Sequence, residues 1–143
     1  MPAVRRDPRG TEHRISSEGS HMSQSSMSYN DHMQLMEQCI ANCQACLVAC
    51  ERCIDSCLTS EQVVTMTECV RLCRDCADTC TLCVRLMARG SHYHGNLCAV
   101  CADICAACAV ECEKHHAVAA CQTCAKACHR CEETCRQMGQ MAI

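Results

Sequence analysis

Cysteine is the residue in this sequence whose type and spacing point most directly to chemistry. The chain of 143 residues holds 21 cysteines, and within each of four runs the consecutive cysteines are three or four residues apart. In an α-helix this spacing places the side chains on one stripe, so each run would present a row of thiols. The four runs contain Cys39, Cys43, Cys46, Cys50, Cys53 and Cys57; Cys69, Cys73, Cys76, Cys80 and Cys83; Cys98, Cys101, Cys105, Cys108 and Cys112; and Cys121, Cys124, Cys128, Cys131 and Cys135.

Packing, disulfide formation and metal binding are three explanations for such stripes. Alanine would fill the same space with a higher helix propensity and no risk of oxidation. A disulfide framework is disfavoured because the cysteine count is odd and because thiols four residues apart on one helix are poorly aimed at each other. Metal binding therefore explains the stripes best, and thiolates select Cu(I), Zn(II) or iron–sulfur clusters over hard cations.

The continuity of the thiol rows bears on which metal is bound. Iron–sulfur proteins use four cysteines per cluster, and no separate ligand set stands out here. Zn(II) takes four tetrahedral ligands, which facing helices could supply in layers, so zinc remains open. Cu(I) is satisfied by fewer soft ligands, and a Cys-x-x-x-Cys pair offers two sulfurs on one helical turn. The continuous row therefore favours Cu(I).

Charge neutrality predicts the copper capacity. Ligating thiols lose their protons, and a buried unpaired thiolate costs several kcal/mol, so the core needs about one positive charge per sulfur. Thiolates that bridge neighbouring Cu(I) ions would meet this requirement. We therefore expect a capacity on the order of 20 ions per chain.

Methionine and histidine continue the stripes beyond the cysteine runs. They are the other soft or borderline ligands for Cu(I), although methionine also fills the ends of hydrophobic cores, so packing stays open as an alternative. His116 lies next to one of these positions, in the turn before the last run, and His129 lies one position off the stripe, where we expect it to be solvated. The stripe positions are His32, Met36, Met66, Met87, His94, His115 and Met138.

Four helices are needed to present these stripes. Their short connections force neighbouring helices to run antiparallel, so we predict an all-α fold, an antiparallel up-down-up-down four-helix bundle with a Cys-lined core. We predict that Asn30 or Asp31 caps the first helix, that Thr59 and Gln62 form a capping box before the second, and that Gly90 ends the second. The first helix is expected to run from about residue 31 to 58, and the second from the turn at residues 59–62 to about residue 89. The third is expected over about residues 96–114 and the fourth over about residues 117–138.

Residues off the cysteine stripe support the same helical register. A second apolar stripe is expected to pack between helices, with a contact between subunits as the alternative; it contains Ile40, Leu47, Ile54, Val70 and Val84. Opposite charges four residues apart would stabilise exposed helix faces. These pairs are Arg71 with Asp75, Arg74 with Asp78, and Glu132 with Arg136.

Composition separates a lead-in from the bundle and excludes several classes of function. Residues 1–30 are rich in Ser, Gly and Arg, which predicts a flexible N-terminal segment. Within it, Gly19–Met22 is typical of a cloning remnant. Residues 31–143 are expected to form the metal-storage domain. The net charge of −3 provides no basic stripe for nucleic acid. We expect neither a signal peptide nor a membrane span, which indicates a cytoplasmic protein with reduced thiols.

Residues 31–138 resemble the bacterial copper storage proteins of the cytosolic type. The resemblance rests on four cysteine-striped helices, on Cys-x-x-x-Cys pairs such as Cys39/Cys43 and Cys108/Cys112, and on the segment Cys112-Glu-Lys-His-His before Cys121. It implies a four-helix bundle that is filled with Cu(I), assembles as a homotetramer and stores or buffers cytosolic copper. It also implies that copper is admitted at the end that carries Met66, His115 and His116.

The leading hypothesis is therefore a Cu(I) store that binds many ions per chain through all 21 cysteines, with Met66, His115 and His116 as further ligands. The alternative is sequestration of Zn(II) or Cd(II) in layered thiolate sites. An enzyme is not expected, because no cysteine is singled out by its context as a nucleophile. A di-iron enzyme would need paired Glu-x-x-His ligands, and the helical region holds only Glu113-x-x-His116.

Overall fold

The computed structural model describes residues 4–6, 12–14 and 28–141, and four long helices account for most of them. The helices are α1 (Tyr29–Leu58), α2 (Thr67–Ala88), α3 (His94–Glu113) and α4 (Ala119–Gln140), with a short 3₁₀ helix (Val63–Met66) before α2. Thiols of α1 meet those of α4 in antiparallel order, as do those of α2 and α3. The predicted up-down-up-down four-helix bundle is confirmed.

The start of α1 differs from the prediction. The Ser28 side-chain oxygen accepts a hydrogen bond from the backbone N–H of Asp31 at 3.1 Å. Ser28 is therefore the N-cap, and the prediction that Asn30 or Asp31 caps this helix is wrong. A serine hydroxyl that accepts from the third residue of the first turn satisfies one of the N–H groups that a helix start leaves unpaired.

The connection between α1 and α2 also differs from the prediction. The Thr59 hydroxyl donates back to the carbonyls of Asp55 and Ser56, and Gln62 precedes the 3₁₀ helix without a side-chain cap. The predicted capping box is wrong, because the Thr59 hydroxyl binds the end of α1 instead. This local bonding to preceding carbonyls is a common alternative for Ser and Thr side chains.

Gly90 ends α2 as predicted. Its φ of +64° lies in the left-handed region, which glycine adopts without a steric penalty. The backbone N–H of Gly90 donates to the Met87 carbonyl at 3.2 Å, and that of Ser91 donates to the Leu86 carbonyl at 2.9 Å. These two bonds form a Schellman motif, which turns the chain into α3.

The core of the bundle consists mostly of cysteine. Every cysteine is 0% exposed, and Ala77, Ala102, Ala109 and Ala125 fill the spaces between the rows. The second stripe, from Ile40 to Val84, is partly buried and packs against this core, which confirms that it packs within the bundle. An unpaired thiol behaves as a small apolar group, so the rows can form a core in the absence of metal.

Among the predicted charge pairs, only Glu132 with Arg136 is formed, at 3.3 Å. Arg71 lies 4.0 Å from Glu68 rather than near Asp75, and within residues 28–141 no ion pair joins Arg74 to Asp78. Exposed pairs of this kind contribute little to stability, so the bundle does not depend on them.

Helix α3 is the most apolar of the four. With a mean hydropathy of 1.5 it is long and apolar enough to cross a membrane by length and composition. A stretch of this kind was not expected from the sequence, whereas the expectation that the protein does not span a membrane stays a prediction. Five cysteines and two alanines of α3 are buried. A core helix in a bundle gives the same apolar composition.

The segment before the bundle contains a short pair of strands. Strands β1 (Val4–Arg6) and β2 (Glu12–Arg14) pair antiparallel, with Arg5 opposite His13. The strand pair is not apparent from the sequence pattern. The chain divides into two compact units, residues 1–33 and 34–143. The predicted flexible lead-in over residues 1–30 lies mostly outside the described residues and stays a prediction. The suggested cloning remnant also stays a prediction.

Helices α3 and α4 approach each other closely at Gly139. A Cβ atom at this position would lie 2.9 Å from the Cβ of Ala99 and 3.0 Å from its backbone nitrogen. We therefore expect Gly139→Ala to force these helices apart and to lower the free energy of unfolding by about 1–3 kcal/mol. Urea denaturation of the reduced, metal-free protein measures this change.

Gly95→Ala is the matched control, because its Cβ atom would meet only the Met138 carbonyl oxygen at 3.7 Å. Both substitutions gain the same helix propensity. Equal stability of the two variants would contradict the close helix contact.

Candidate metal centre

The four rows of thiols form one continuous column along the bundle. Sulfurs on different helices are in contact, for example Cys53 with Cys121 at 3.2 Å and Cys76 with Cys128 at 4.0 Å. Contacts also link adjacent turns of one helix, as between Cys46 and Cys50 at 4.0 Å. Thiols such as Cys46, Cys124 and Cys131 therefore have sulfur contacts both across the bundle and along it.

Groups of four sulfurs lie close enough to hold a metal ion. Within each group all four sulfurs are within 4.8 Å of one another. Neighbouring groups have members in common. Five of these groups are Cys43, Cys80, Cys101 and Cys131; Cys46, Cys80, Cys105 and Cys131; Cys46, Cys50, Cys76 and Cys128; Cys50, Cys108, Cys124 and Cys128; and Cys53, Cys69, Cys73 and Cys112.

The sharing of sulfurs distinguishes this column from a series of closed sites. A structural zinc site uses its own four ligands. Here Cys80 and Cys131 serve two groups, and Cys46 also serves two, so these groups cannot all be separate tetrahedral sites at once. Thiolates that bridge neighbouring ions fit the arrangement better.

Burial and contacts between thiols raise the pKa of many cysteines in the metal-free column, although contacts such as the one with Cys105 lower the pKa of Cys46. All the cysteines, which lie within residues 28–141, are free. Burial raises the pKa of the Cys57 thiol to about 12, with a further contribution from the neighbouring Cys69 and Cys121 thiols, and burial also raises the pKa of Cys121. For Cys50, the hydrogen bond with Cys108 is the largest of the effects that raise the pKa. Each bound cation would therefore have to displace protons.

Three of the predicted further ligands are placed at one end of the bundle, which we call the histidine end. Met66 precedes α2 and is 4% exposed, and His115 and His116 follow α3. Thiols at this end of α2 and α3 are in contact, with Cys69 and Cys112 3.7 Å apart. The His115 side chain is 13% exposed, whereas His116 is exposed. The structure therefore distinguishes a packed histidine from a solvated one.

The opposite end carries buried methionines. Met36 on α1, Met87 on α2 and Met138 on α4 are 8%, 1% and 0% exposed. They belong to the hydrophobic core, which supports the packing alternative for these positions. His32 and His94 lie in the first turns of α1 and α3.

His129 lies outside the column, as predicted. Its side chain is 51% exposed, its Nε2 contacts the Glu113 carboxylate, and its Nδ1 lies 3.7 Å from Glu132. These contacts join the outer faces of α3 and α4. A role as a ligand of the core is therefore excluded by its position.

Two polar residues that the ligand pattern missed hold the histidine end. Glu111 contacts His115, and the Gln122 amide donates to the backbone carbonyls of Cys112 and His115. The spacing of four residues between Glu111 and His115 is a signal that could have identified the first contact. Gln122 reaches across a turn, so no periodicity would have revealed it.

Comparisons with known proteins agree on one family. The sequence model of the copper storage protein family matches residues 32–140. The chain is similar to the Cu(I)-bound copper storage protein BsCsp3 (45% identity, TM-score 0.70, covering 73% of this chain and 98% of that one). It is also similar to apo-Csp3 from Bacillus subtilis (46% identity, TM-score 0.68, covering 72% of this chain and 97% of that one). A third similar structure is a cytosolic copper storage protein from Streptomyces lividans with five coppers (34% identity, TM-score 0.74, covering 78% of this chain and 97% of that one). No curated protein matches the sequence.

Proposed function

We propose, from the premise that this chain belongs to the copper storage protein family, that the thiol column stores Cu(I). The observation that carries the proposal is the sharing of buried sulfurs between adjacent four-thiol groups. Thiolates are soft ligands that suit Cu(I). A monovalent cation for each sulfur would leave the buried column neutral, whereas isolated four-thiolate Zn(II) sites would each keep an excess of two negative charges.

The ligands of the stored copper are proposed to be all 21 cysteines. Met66, His115 and His116 at the histidine end are proposed as weaker, exchangeable ligands through which ions pass to the thiols. The solvated His116 would meet an incoming ion first, and the packed His115 would then transfer it toward Cys112, three residues earlier on the same stripe. Thioether and imidazole bind Cu(I) without a charge of their own, which suits transfer.

Anaerobic titration with Cu(I) tests the storage function. We expect the reduced protein to bind on the order of 20 ions per chain, measured by metal analysis after removal of unbound copper. Saturation at a few ions per chain would overturn the proposal. Competition between the two metals tests the zinc alternative, since Zn(II) that survives an excess of Cu(I) would favour layered zinc sites.

The cellular setting is proposed from the relatives. The Streptomyces lividans protein is described as cytosolic, and reduced thiols suit that compartment, so we place this chain in the cytoplasm. We further propose a homotetramer and a role in binding rather than in catalysis. Exposed apolar side chains such as Val48, Val100 and Val110 are available to a subunit contact.

A further inference from the structure

Glu111 and Gln122 hold the turn that carries His115. The Glu111 Oε1 lies 3.4 Å from His115 Nε2, and its Oε2 accepts a hydrogen bond from Lys114 Nζ at 2.9 Å. Across the turn, Gln122 Nε2 donates to the His115 carbonyl at 3.0 Å and to the Cys112 carbonyl at 3.3 Å. The side chains of Glu111 and His115 are each 13% exposed. This is a packed arrangement that fixes both the backbone and the ring of His115.

We propose that Glu111 is a positioning residue for copper transfer through His115, an inference that rests on the proposed storage function. In a neutral imidazole one nitrogen donates and the other accepts. If Nε2–H donates to the Glu111 carboxylate, Nδ1 keeps the lone pair that can bind a metal. Metal-binding histidines commonly donate their second nitrogen to a carboxylate in this way, which fixes the tautomer and the ring orientation.

His115 lies close in sequence to thiols of the column, so the orientation of its ring bears on copper transfer. His115 follows Cys112 by three residues, and the Cys112 sulfur lies 3.7 Å from the sulfurs of both Cys69 and Cys73. Cys112 thus belongs to the four-thiol group nearest this end among those described above. A fixed ring can hold an ion next to this group.

A purely structural role for Glu111 makes different predictions. An i,i+4 contact at the end of α3 would stabilise the helix slightly and leave the rate of copper uptake unchanged. Glu113 offers a matched control, because it is on the same last turn of α3 and its carboxylate contacts His129 instead of His115. The two glutamates therefore separate positioning of His115 from general charge.

The experiment uses the full, reduced chain and Cu(I) presented as its bicinchoninate complex, with uptake followed by stopped-flow absorbance. We expect Glu111→Gln to slow uptake about tenfold, the effect typical of losing a residue that orients a metal ligand, and Glu113→Gln to match the wild type. His115→Phe should slow uptake at least as much. Adding Glu111→Gln to His115→Phe should cause no further loss, because residues that act through one another are not additive.

The ring nitrogens of His115 provide a second readout without copper. Nitrogen-15 NMR of the metal-free protein should show the Nε2–H tautomer in the wild type and in Glu113→Gln, and a mixture of tautomers in Glu111→Gln. Unchanged spectra, a wild-type uptake rate in Glu111→Gln, or multiplied slowing in the double variant would each overturn the proposal. The number of Cu(I) ions bound at the end point separates the storage function from the role of Glu111. If Glu111→Gln binds the full number of ions at the wild-type rate, only the role of Glu111 is contradicted.

Discussion

Raising the pH above about 9 should unfold the metal-free bundle. Burial raises the pKa of Cys57 from 9.0 to about 12 and also raises that of Cys121. In this window the unfolded chain ionises its thiols, while the folded chain retains the protons of those thiols whose pKa is raised. The unfolded state therefore binds fewer protons, and stability falls as the pH rises. Each such thiol removes about 1.4 kcal/mol per pH unit.

The number of buried thiols makes this effect large. Five thiols that stay protonated in the fold would remove about 7 kcal/mol per pH unit, which is comparable to the whole stability of a typical domain. We therefore expect an unfolding midpoint between about pH 9 and 11 by far-UV circular dichroism.

Copper-loaded protein is the control for the alkaline experiment. Its thiolates have already lost their protons to the metal, so its fold should persist through the same pH range. A metal-free bundle that stays folded well beyond pH 11 would contradict the protonated, apolar core.

Loading with Cu(I) should also stabilise the fold far more than any single substitution changes it. An ion that binds only the folded chain stabilises it by about 2.7 kcal/mol at a free concentration of 100 times its Kd. The four-thiol groups draw ligands from three or four helices, as Cys43, Cys80, Cys101 and Cys131 do. Many such ions act together, so we expect loaded protein to resist guanidinium that fully unfolds the metal-free form.

Partial loading and copper removal provide the controls for this prediction. The denaturation midpoint should rise with each increment of copper. It should return to the metal-free value after extraction of copper by a stronger chelator, which excludes covalent damage as the cause. Identical midpoints for loaded and metal-free samples would show that the column does not link the helices through copper.

The bundle and its thiol column were predictable because one residue type carries the periodicity. A spacing of three and four residues defines the helix, the buried face and the chemistry at once, and the burial of every cysteine confirms that face. The break at Gly90 was also predictable, since a left-handed position after a helix favours glycine.

Helix caps, surface ion pairs and side-chain hydrogen bonds were less predictable, because several partners compete for each polar side chain. Ser28 rather than Asn30 or Asp31 caps α1, and Arg71 approaches Glu68 rather than Asp75, although each alternative has similar spacing and energy. Gln122 binds backbone carbonyls across a turn. Contacts of this kind depend on the tertiary path of the chain, so a periodic pattern does not contain them.

The sulfurs that two adjacent groups have in common bear on how ions travel once inside. An ion that moves from Cys43, Cys80, Cys101 and Cys131 to the next group can keep hold of Cys80 and Cys131 while it exchanges only Cys43 for Cys46 and Cys101 for Cys105. Copper can thus migrate by partial ligand exchange without ever becoming hydrated. Because entry and exit are proposed only at the histidine end, we expect the last ion to arrive to be the first to leave.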